Sequence, residues 1–230
     1  MKKLISTFLI KRGFNRLVKD IQVLNQKKMS AEETIDFVFS KKAELIQPWQ
    51  FREEITKLAK EIETLHPKVV VEIGTANGGT LFITSRVADE NALIISIDLP
   101  GGKFGGGYPE WKIPVYSSFA RKNQTIQLIR GDSHSDETFQ KLLSILGTKK
   151  IDYLFIDGDH TYQGAKQDYE KYSTLVRPGG LIGFHDIVIH RGSTCDVYKL
   201  WHELKAENEH REFVNNWDQN KFGVGLLVKK

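Results

Sequence analysis

Short apolar runs rich in β-branched residues recur along the chain from residue 69 onward, at residues 69–73, 93–97, 125–129, 151–156, 181–184 and 224–228. Runs of this length without strict alternation predict strands buried on both faces. Between them, apolar positions return at helical spacing over residues 81–87, from 135 to about 146, from 162 to about 175 and from about 195 to 207. Strands that alternate with helices in this way predict an α/β fold, a mostly parallel sheet with helices on both faces. Arg177-Pro178-Gly179-Gly180 is expected as a helix-ending turn before the strand at 181–184.

The first part of the chain has helical period only. Phe14, Leu17, Val18, Ile21 and Leu24 share one face while Arg12, Arg16, Lys19, Lys27 and Lys28 fall mainly between them, a basic amphipathic helix that Gly13 is expected to interrupt. Ser30-Ala31-Glu32-Glu33 reads as a capping box opening a helix to about residue 42. A further helix, from about 49 to 65, carries Ile55, Leu58, Ala59, Ile62 and Leu65 on one face and ends before Pro67. Residues 1–66 are therefore expected as an N-terminal helical extension and 67–230 as the α/β domain.

Composition narrows the class. At 230 residues, 40% hydrophobic and 27% charged, the chain suits one domain with an extension. No apolar run approaches the ~20 residues of a membrane-spanning helix. Cys195 is the only cysteine, which excludes an intrachain disulfide and a thiolate cluster and fits a reducing compartment, the cytoplasm by default. Met1-Lys2-Lys3 and the apolar stretch 4–10 imitate a signal peptide, but the run is only seven residues and no small-residue cleavage site follows, so it is read as part of the mature protein.

The net charge of +4 is unevenly placed: residues 1–28 hold eight Lys or Arg against Asp20, or +7, leaving −3 for the rest. The basic helix could dock onto the body, onto a second copy in a homodimer, or onto an anionic membrane surface. A nucleic-acid partner is not expected, because Lys and Arg are not interleaved with aromatics around the candidate site.

The candidate chemistry begins where the first strand ends. Val69-Val70-Val71-Glu72-Ile73-Gly74-Thr75-Ala76-Asn77-Gly78-Gly79-Thr80 is a strand, a glycine turn and a helix start. The spacing is G-x-x-x-G-G rather than G-x-G-x-x-G, and Glu72 would repel a pyrophosphate but attract an ammonium, as in the methionine half of S-adenosylmethionine. The alternative is a turn whose glycines serve packing alone. Asp98 ends the second strand, where ribose hydroxyls would lie; it could equally be a cap or turn residue.

Residues 101–107 hold five glycines and lead to Tyr108, Trp111 and Tyr116, a linker or a lid over an acceptor with those rings as stacking surfaces. The third strand ends in Arg130-Gly131-Asp132-Ser133-His134, polar groups suited to an adenine edge. The fourth and fifth deliver Asp157-Gly158-Asp159-His160 and His185-Asp186 to the same carboxyl edge. Singly, Asp157 could cap a helix, His160 bond a loop carbonyl and Asp186 serve a turn.

On these motifs, over about residues 67–190, the chain resembles the class I S-adenosylmethionine-dependent methyltransferases. Within them it is similar to the metal-dependent O-methyltransferases (methyltransferase family 24), of the catechol type and, more closely, the macrolide-sugar and cephalosporin-hydroxylase-like type. The resemblance implies a Rossmann-like, doubly wound sheet of seven strands. It assigns Glu72, Gly74, Gly78 and Thr80 to the methionine end of S-adenosylmethionine, Asp98 to the ribose, and Asp132, Ser133 and His134 to the adenine. Asp157 and Asp186 fall on metal-carboxylate positions for Mg²⁺ or Mn²⁺, and His160 on that of a general base. His185 stands where those relatives place a second acidic ligand, and Ile187 where the catechol enzymes have an asparagine. Either His185 is a ligand, favouring a softer ion, or the metal has been lost.

The function so implied is O-methyl transfer to a hydroxyl of a small molecule or sugar, with His160 and Asp157 as catalytic residues. The alternatives are a non-catalytic S-adenosylmethionine-binding assembly protein and a cephalosporin-hydroxylase-like enzyme of other chemistry. A dehydrogenase is opposed by Glu72 and the glycine spacing.

Overall fold

The computed structural model of the protein describes residues 2–101, 107–121 and 123–230, with side chains described from residue 12. In chain order the helices are α1 (Lys2–Leu24), α2 (Ala31–Val38), α3 (Arg52–Leu65), α4 (Gly79–Val87), α5 (Ile113–Ser117), α6 (Asp136–Leu146), α7 (Tyr162–Tyr172) and α8 (Val197–Glu207). The strands are β1 (Val69–Ile73), β2 (Leu93–Asp98), β3 (Thr125–Arg130), β4 (Ile151–Ile156), β5 (Val176–His185), β6 (His210–Phe213) and β7 (Val224–Val228). They form one seven-stranded sheet in the order β3-β2-β1-β4-β5-β7-β6. Neighbours are parallel from β3 to β5; β7 runs antiparallel to β5, and β6 antiparallel to β7. This is the doubly wound, Rossmann-like architecture, with β4 at its centre and β1 beside it.

Successive side chains of a strand point to opposite faces, and β1 shows both cores at once. Val70 joins a cluster with Leu17 of α1, Ile35 of α2, Ile62 of α3 and Phe82 of α4. Val69, Val71 and Ile73 join another with Leu142 of α6, Tyr172 of α7 and Trp201 of α8. The N-terminal helices thus cover one face of the sheet, and burying Phe14, Leu17 and Ile21 of α1 stabilises that cover by about 1.5–3 kcal/mol per side chain.

Local signals place several boundaries. Ser30 accepts from the Glu33 backbone and Glu33 returns the bond, the capping box of α2. Ser135 and Thr161 cap α6 and α7 through their hydroxyls, and α3 ends on His66 in a left-handed conformation before Pro67.

Other expectations need correcting. Gly13 does not interrupt α1; a β-carbon there would lie 2.9 Å from Leu45, so the glycine admits a neighbour rather than breaking the helix. The helix from Ser30 stops at Val38 and a separate short turn follows at Glu44–Ile46. Residues 177–180 belong to the start of β5, where the register with β4 shifts. The seventh strand is β6, whose four polar-flanked residues carry no apolar run.

The glycine-rich lid or linker falls largely on residues 102–106, outside the described residues. Of the rings expected beside it as stacking surfaces, Tyr108 and Tyr116 turn into the core and Trp111 is half-buried. Tyr108 and Tyr116 are buried and meet edge to face at 4.7 Å, and Trp111 packs on Phe14 at 5.0 Å. Large aromatic rings with a core within reach bury their area there.

Candidate functional site

The carboxyl ends of β1 to β5 meet at one edge of the sheet, where open α/β folds place their ligands. From β1 the chain turns through Gly74 at φ +93°, Ala76 at +44° and Gly78 at +85°. A β-carbon on Gly74 would lie 2.0 Å from the Asp157 carbonyl, and one on Gly78 would lie 2.6 Å from the Tyr116 ring. These glycines therefore let β4 and α5 close against the turn as well as supplying its positive φ. Tyr116 locks it by donating its hydroxyl to the Ala76 carbonyl at 2.9 Å, and Asp98 accepts the Ala76 N–H at 3.1 Å.

Two clefts share this turn. The larger, about 460 Å³, is lined by Gly74, Asp98, Asp132, Ser133 and His134, among others. The smaller, about 180 Å³, is lined by Trp49, Thr80, His160, His185, Asp186 and their neighbours. Gly74, Ala76 and Asp157 belong to both, so the clefts adjoin at Asp157.

Of the residues assigned to a cofactor, Glu72 and Gly78 line neither cleft. Glu72 lies in β1 itself, only 2% exposed, and neither carboxylate oxygen has a hydrogen-bond partner. Burial holds its pKa well above the usual carboxylate range, with Asp157 and Asp98 adding to the effect and Thr80 opposing it. Burial likewise pushes Asp98 up to about 6. Three carboxylates thus converge under the glycine turn.

The turn after β3 is tied down from behind. Asp132 accepts the His134 N–H at 2.9 Å, and the Ser133 carbonyl accepts the Tyr172 hydroxyl at 2.7 Å. His134 Nε2 lies 3.4 Å from buried Asp168 and 3.2 Å from the Gly164 carbonyl. Asp168 raises the imidazole to about 8. His134 therefore reaches the larger cleft as a ring already anchored to α7.

At the end of β5, Asp186 adopts φ +61°, a strained conformation of the kind that clusters at functional sites. Its carboxylate is ringed by His160 Nδ1 at 3.2 Å, His185 Nδ1 at 3.3 Å, His190 Nε2 at 3.1 Å and the Cys195 thiol at 3.7 Å. Asp157 lies 3.0 Å from His185 Nδ1 and 3.6 Å from His160 Nε2. Burial opposes ionisation of Asp186, but His185, His190 and His160 hold it well below the usual carboxylate range. Burial also opposes protonation of His185, yet Asp157 and Asp186 together raise it to about 9.

One ligand atom each from Asp157, His185 and Asp186 lies within 4.8 Å of the others, and so do atoms of His160, Asp186 and Cys195. Carboxylate and imidazole donors so grouped can hold a divalent ion. The structure thus brings together the expected Asp157, His160, His185 and Asp186. It adds His190 and Cys195, which sequence reasoning missed. The spacing of His190, four residues after Asp186, was the available signal.

The smaller cleft has a second wall. Buried Glu54 of α3 accepts the backbone N–H of Gly223 and Asn215, each at 3.0 Å, and the Gln219 amide at 2.8 Å. This pins the segment before β7, so that Phe222 stacks on the His185 ring at 5.6 Å.

Comparison with known proteins covers the same edge. A sequence model of a family described as "Methyltransferase domain" matches residues 71–187, just over half of the chain. Uncharacterized protein y4gI of Sinorhizobium fredii is 28% identical over 170 residues, covering 72% of this chain and 18% of that protein. Uncharacterized protein R132 of Acanthamoeba polyphaga mimivirus is 34% identical over 126 residues, covering 54% of this chain and 53% of that one. The chain therefore spans about a fifth and about half of the lengths of these two relatives. Among solved structures, the O-methyltransferase from Bacillus cereus in complex with SAH aligns with a TM-score of 0.58 at 16% identity, over 94% of this chain and 100% of that one. At that identity the likeness is one of fold.

Proposed function

The chain belongs to the methyltransferase-domain family, and from that premise we propose that it is an S-adenosylmethionine-dependent O-methyltransferase acting on a hydroxyl of a small molecule or sugar, assisted by a divalent ion. The observation that carries the reading is the turn after β1, where Gly74 and Ala76 line the larger cleft together with Asp98 and Asp157, with Glu72 as a third, buried carboxylate beneath them. Carboxylates gathered at one cleft attract a cation, and this cleft calls for one. The ammonium of the cofactor's methionine end fits it.

S-adenosylmethionine, when bound, supplies an electrophilic methyl group on a sulfonium. Asp98, half-neutralised near pH 6 by burial, is suited to the ribose hydroxyls, and Asp132 and Ser133 to the adenine edge. Asp157, Asp186 and His185 would hold the divalent ion, Mg²⁺ or Mn²⁺, whose charge would lower the pKa of the acceptor hydroxyl. A donor set that includes imidazole also suits softer ions.

His160 is the group placed to take the acceptor's proton. Its Nδ1 sits 3.2 Å from Asp186, which orients the ring. Asp157 faces both clefts, so it can order the acceptor hydroxyl at the boundary between them. Most of the acceleration would come from such positioning.

The test is calorimetric titration of the purified protein with S-adenosylhomocysteine, with and without Mg²⁺ or Mn²⁺, and with Asp157→Ala as control. Cofactor binding together with metal binding that the control loses is the expected result. Cofactor binding without metal binding would restrict the reading to a methyltransferase relying on His160. Absence of cofactor binding overturns it.

A further inference from the structure

A third cavity lies at the opposite edge of the sheet, where β1, β2 and β3 begin. The segment joining α1 to α2, the end of α4 and the loop before β3 enclose about 440 Å³ there, with Lys27, Lys28, Arg86 and Arg121 among the lining residues. It shares no residue with either catalytic cleft.

Arg86 is 2% exposed. Its Nη2 donates to Asn25 Oδ1 at 2.7 Å and to the Phe119 carbonyl at 2.5 Å, and the guanidinium face stacks on the Phe82 ring at 4.7 Å. That leaves Nε and Nη1, which lie on either side of the side-chain stem, buried with no hydrogen-bond partner. Arg121 repeats the pattern, with Nη2 donating to the Ala88 carbonyl at 2.6 Å and Nε buried without a partner. Among the described residues the arginines in ion pairs are Arg52, Arg130, Arg177, Arg191 and Arg211, and not these two.

Three carboxylates, Glu63, Asp89 and Glu90, also line the cavity, and among the described residues none forms an ion pair with either arginine. Glu63 accepts the Ala31 N–H and Asp89 the Asn91 N–H, while Glu90 is exposed. Burial and the charge of Arg121 together pull Arg86 down to about 9. Two neighbouring guanidinium groups that each keep unpartnered N–H donors are suited to an oxyanion, which accepts charge-assisted N–H bonds from them. Lys27 and Lys28 are exposed and add attraction at the mouth.

We propose that this cavity is a binding site for a phosphate-bearing anion, held by Arg86 and Arg121 and drawn in by Lys27 and Lys28, independent of the catalytic edge. The phosphate could belong to a soluble metabolite or to the headgroup of an anionic lipid, and the experiment separates the two.

The full chain, free of divalent ions, is titrated calorimetrically with inorganic pyrophosphate. In parallel it is sedimented with phosphatidylcholine vesicles with and without phosphatidic acid. Arg121→Gln and the double variant Lys27→Gln, Lys28→Gln are compared with the unmodified protein and with Asp157→Ala. Thermal melts establish that each is folded, and the double variant changes only exposed side chains.

Pyrophosphate binding that weakens at least tenfold in both cavity variants and persists in Asp157→Ala is the expected result and identifies a soluble ligand. Sedimentation dependent on phosphatidic acid, and lost in both cavity variants, supports the site with a lipid headgroup as the source. Binding to neither probe, or binding that both cavity variants retain, overturns the proposal.

Discussion

At the scale of single residues, the site is dominated by carboxylates kept from water. Glu72 is buried without a partner, so Glu72→Gln separates function from stability. Removing that charge is expected to lower S-adenosylhomocysteine affinity by at least about tenfold, roughly 1.4 kcal/mol, while thermal stability at pH 8 does not fall. Because the folded-state pKa of Glu72 is raised, its proton is held more tightly in the folded chain, and its charge penalises folding increasingly as pH rises above the unfolded value. The gain of the Gln variant in melting temperature should therefore widen between pH 5 and pH 8. His134 gives the opposite kind of group, a base whose folded pKa of about 8 lies above its ordinary 6.5. Its contribution is full below about pH 6.5 and lost as pH rises through 8, on the order of 1–2 kcal/mol, and His134→Gln should remove that slope from a series of melts. His160→Ala should leave S-adenosylhomocysteine binding intact and lower methyl transfer by about 10²–10⁴-fold, measured once an acceptor is in hand.

At the scale of elements, the helices upstream of the sheet shape the smaller cleft from outside. Glu54 of α3 is the residue through which they do so, since it accepts three N–H groups from the segment that carries Phe222. Glu54→Ala leaves those donors unmet and should cost about 2–4 kcal/mol, which in a chain of this size is a fall of roughly 4–16 °C in melting temperature. Loss of protection at residues 215–223 in hydrogen exchange would locate the effect. The capping box of α2 was legible in Ser30 and Glu33 because both partners lie within one turn of sequence. Gly13 was misread because its neighbour, Leu45, comes from a different segment. In the same way β6 went unplaced. Its residues 210–213 have no apolar run, and it is a strand because β7 offers it an edge.

At the scale of the whole molecule, one face of the sheet is covered by α1 to α4, and α1 is part of that core through Phe14, Leu17 and Ile21. Leu17→Ala is expected to destabilise the entire fold by about 2–5 kcal/mol, and a melt that is unchanged would mean that α1 is held loosely. The strands, the helices between them and the polar groups at strand ends could be read from sequence because the periods of 2.0 and 3.6 residues are local properties of the backbone. Given a parallel sheet, those strand ends had to share one edge, which is why Asp98, Asp157, His160, His185 and Asp186 were all expected there. Only the tertiary structure decided what surrounds them. It set β4 beside β5 so that three histidines and Cys195 converge on Asp186, it placed Tyr108 and Tyr116 in the core, and it brought Arg86 and Arg121 together at the far edge. Each of these depends on contacts between segments far apart in the chain, fixed by strand order and by the filling of two cores, which no local pattern of residues encodes.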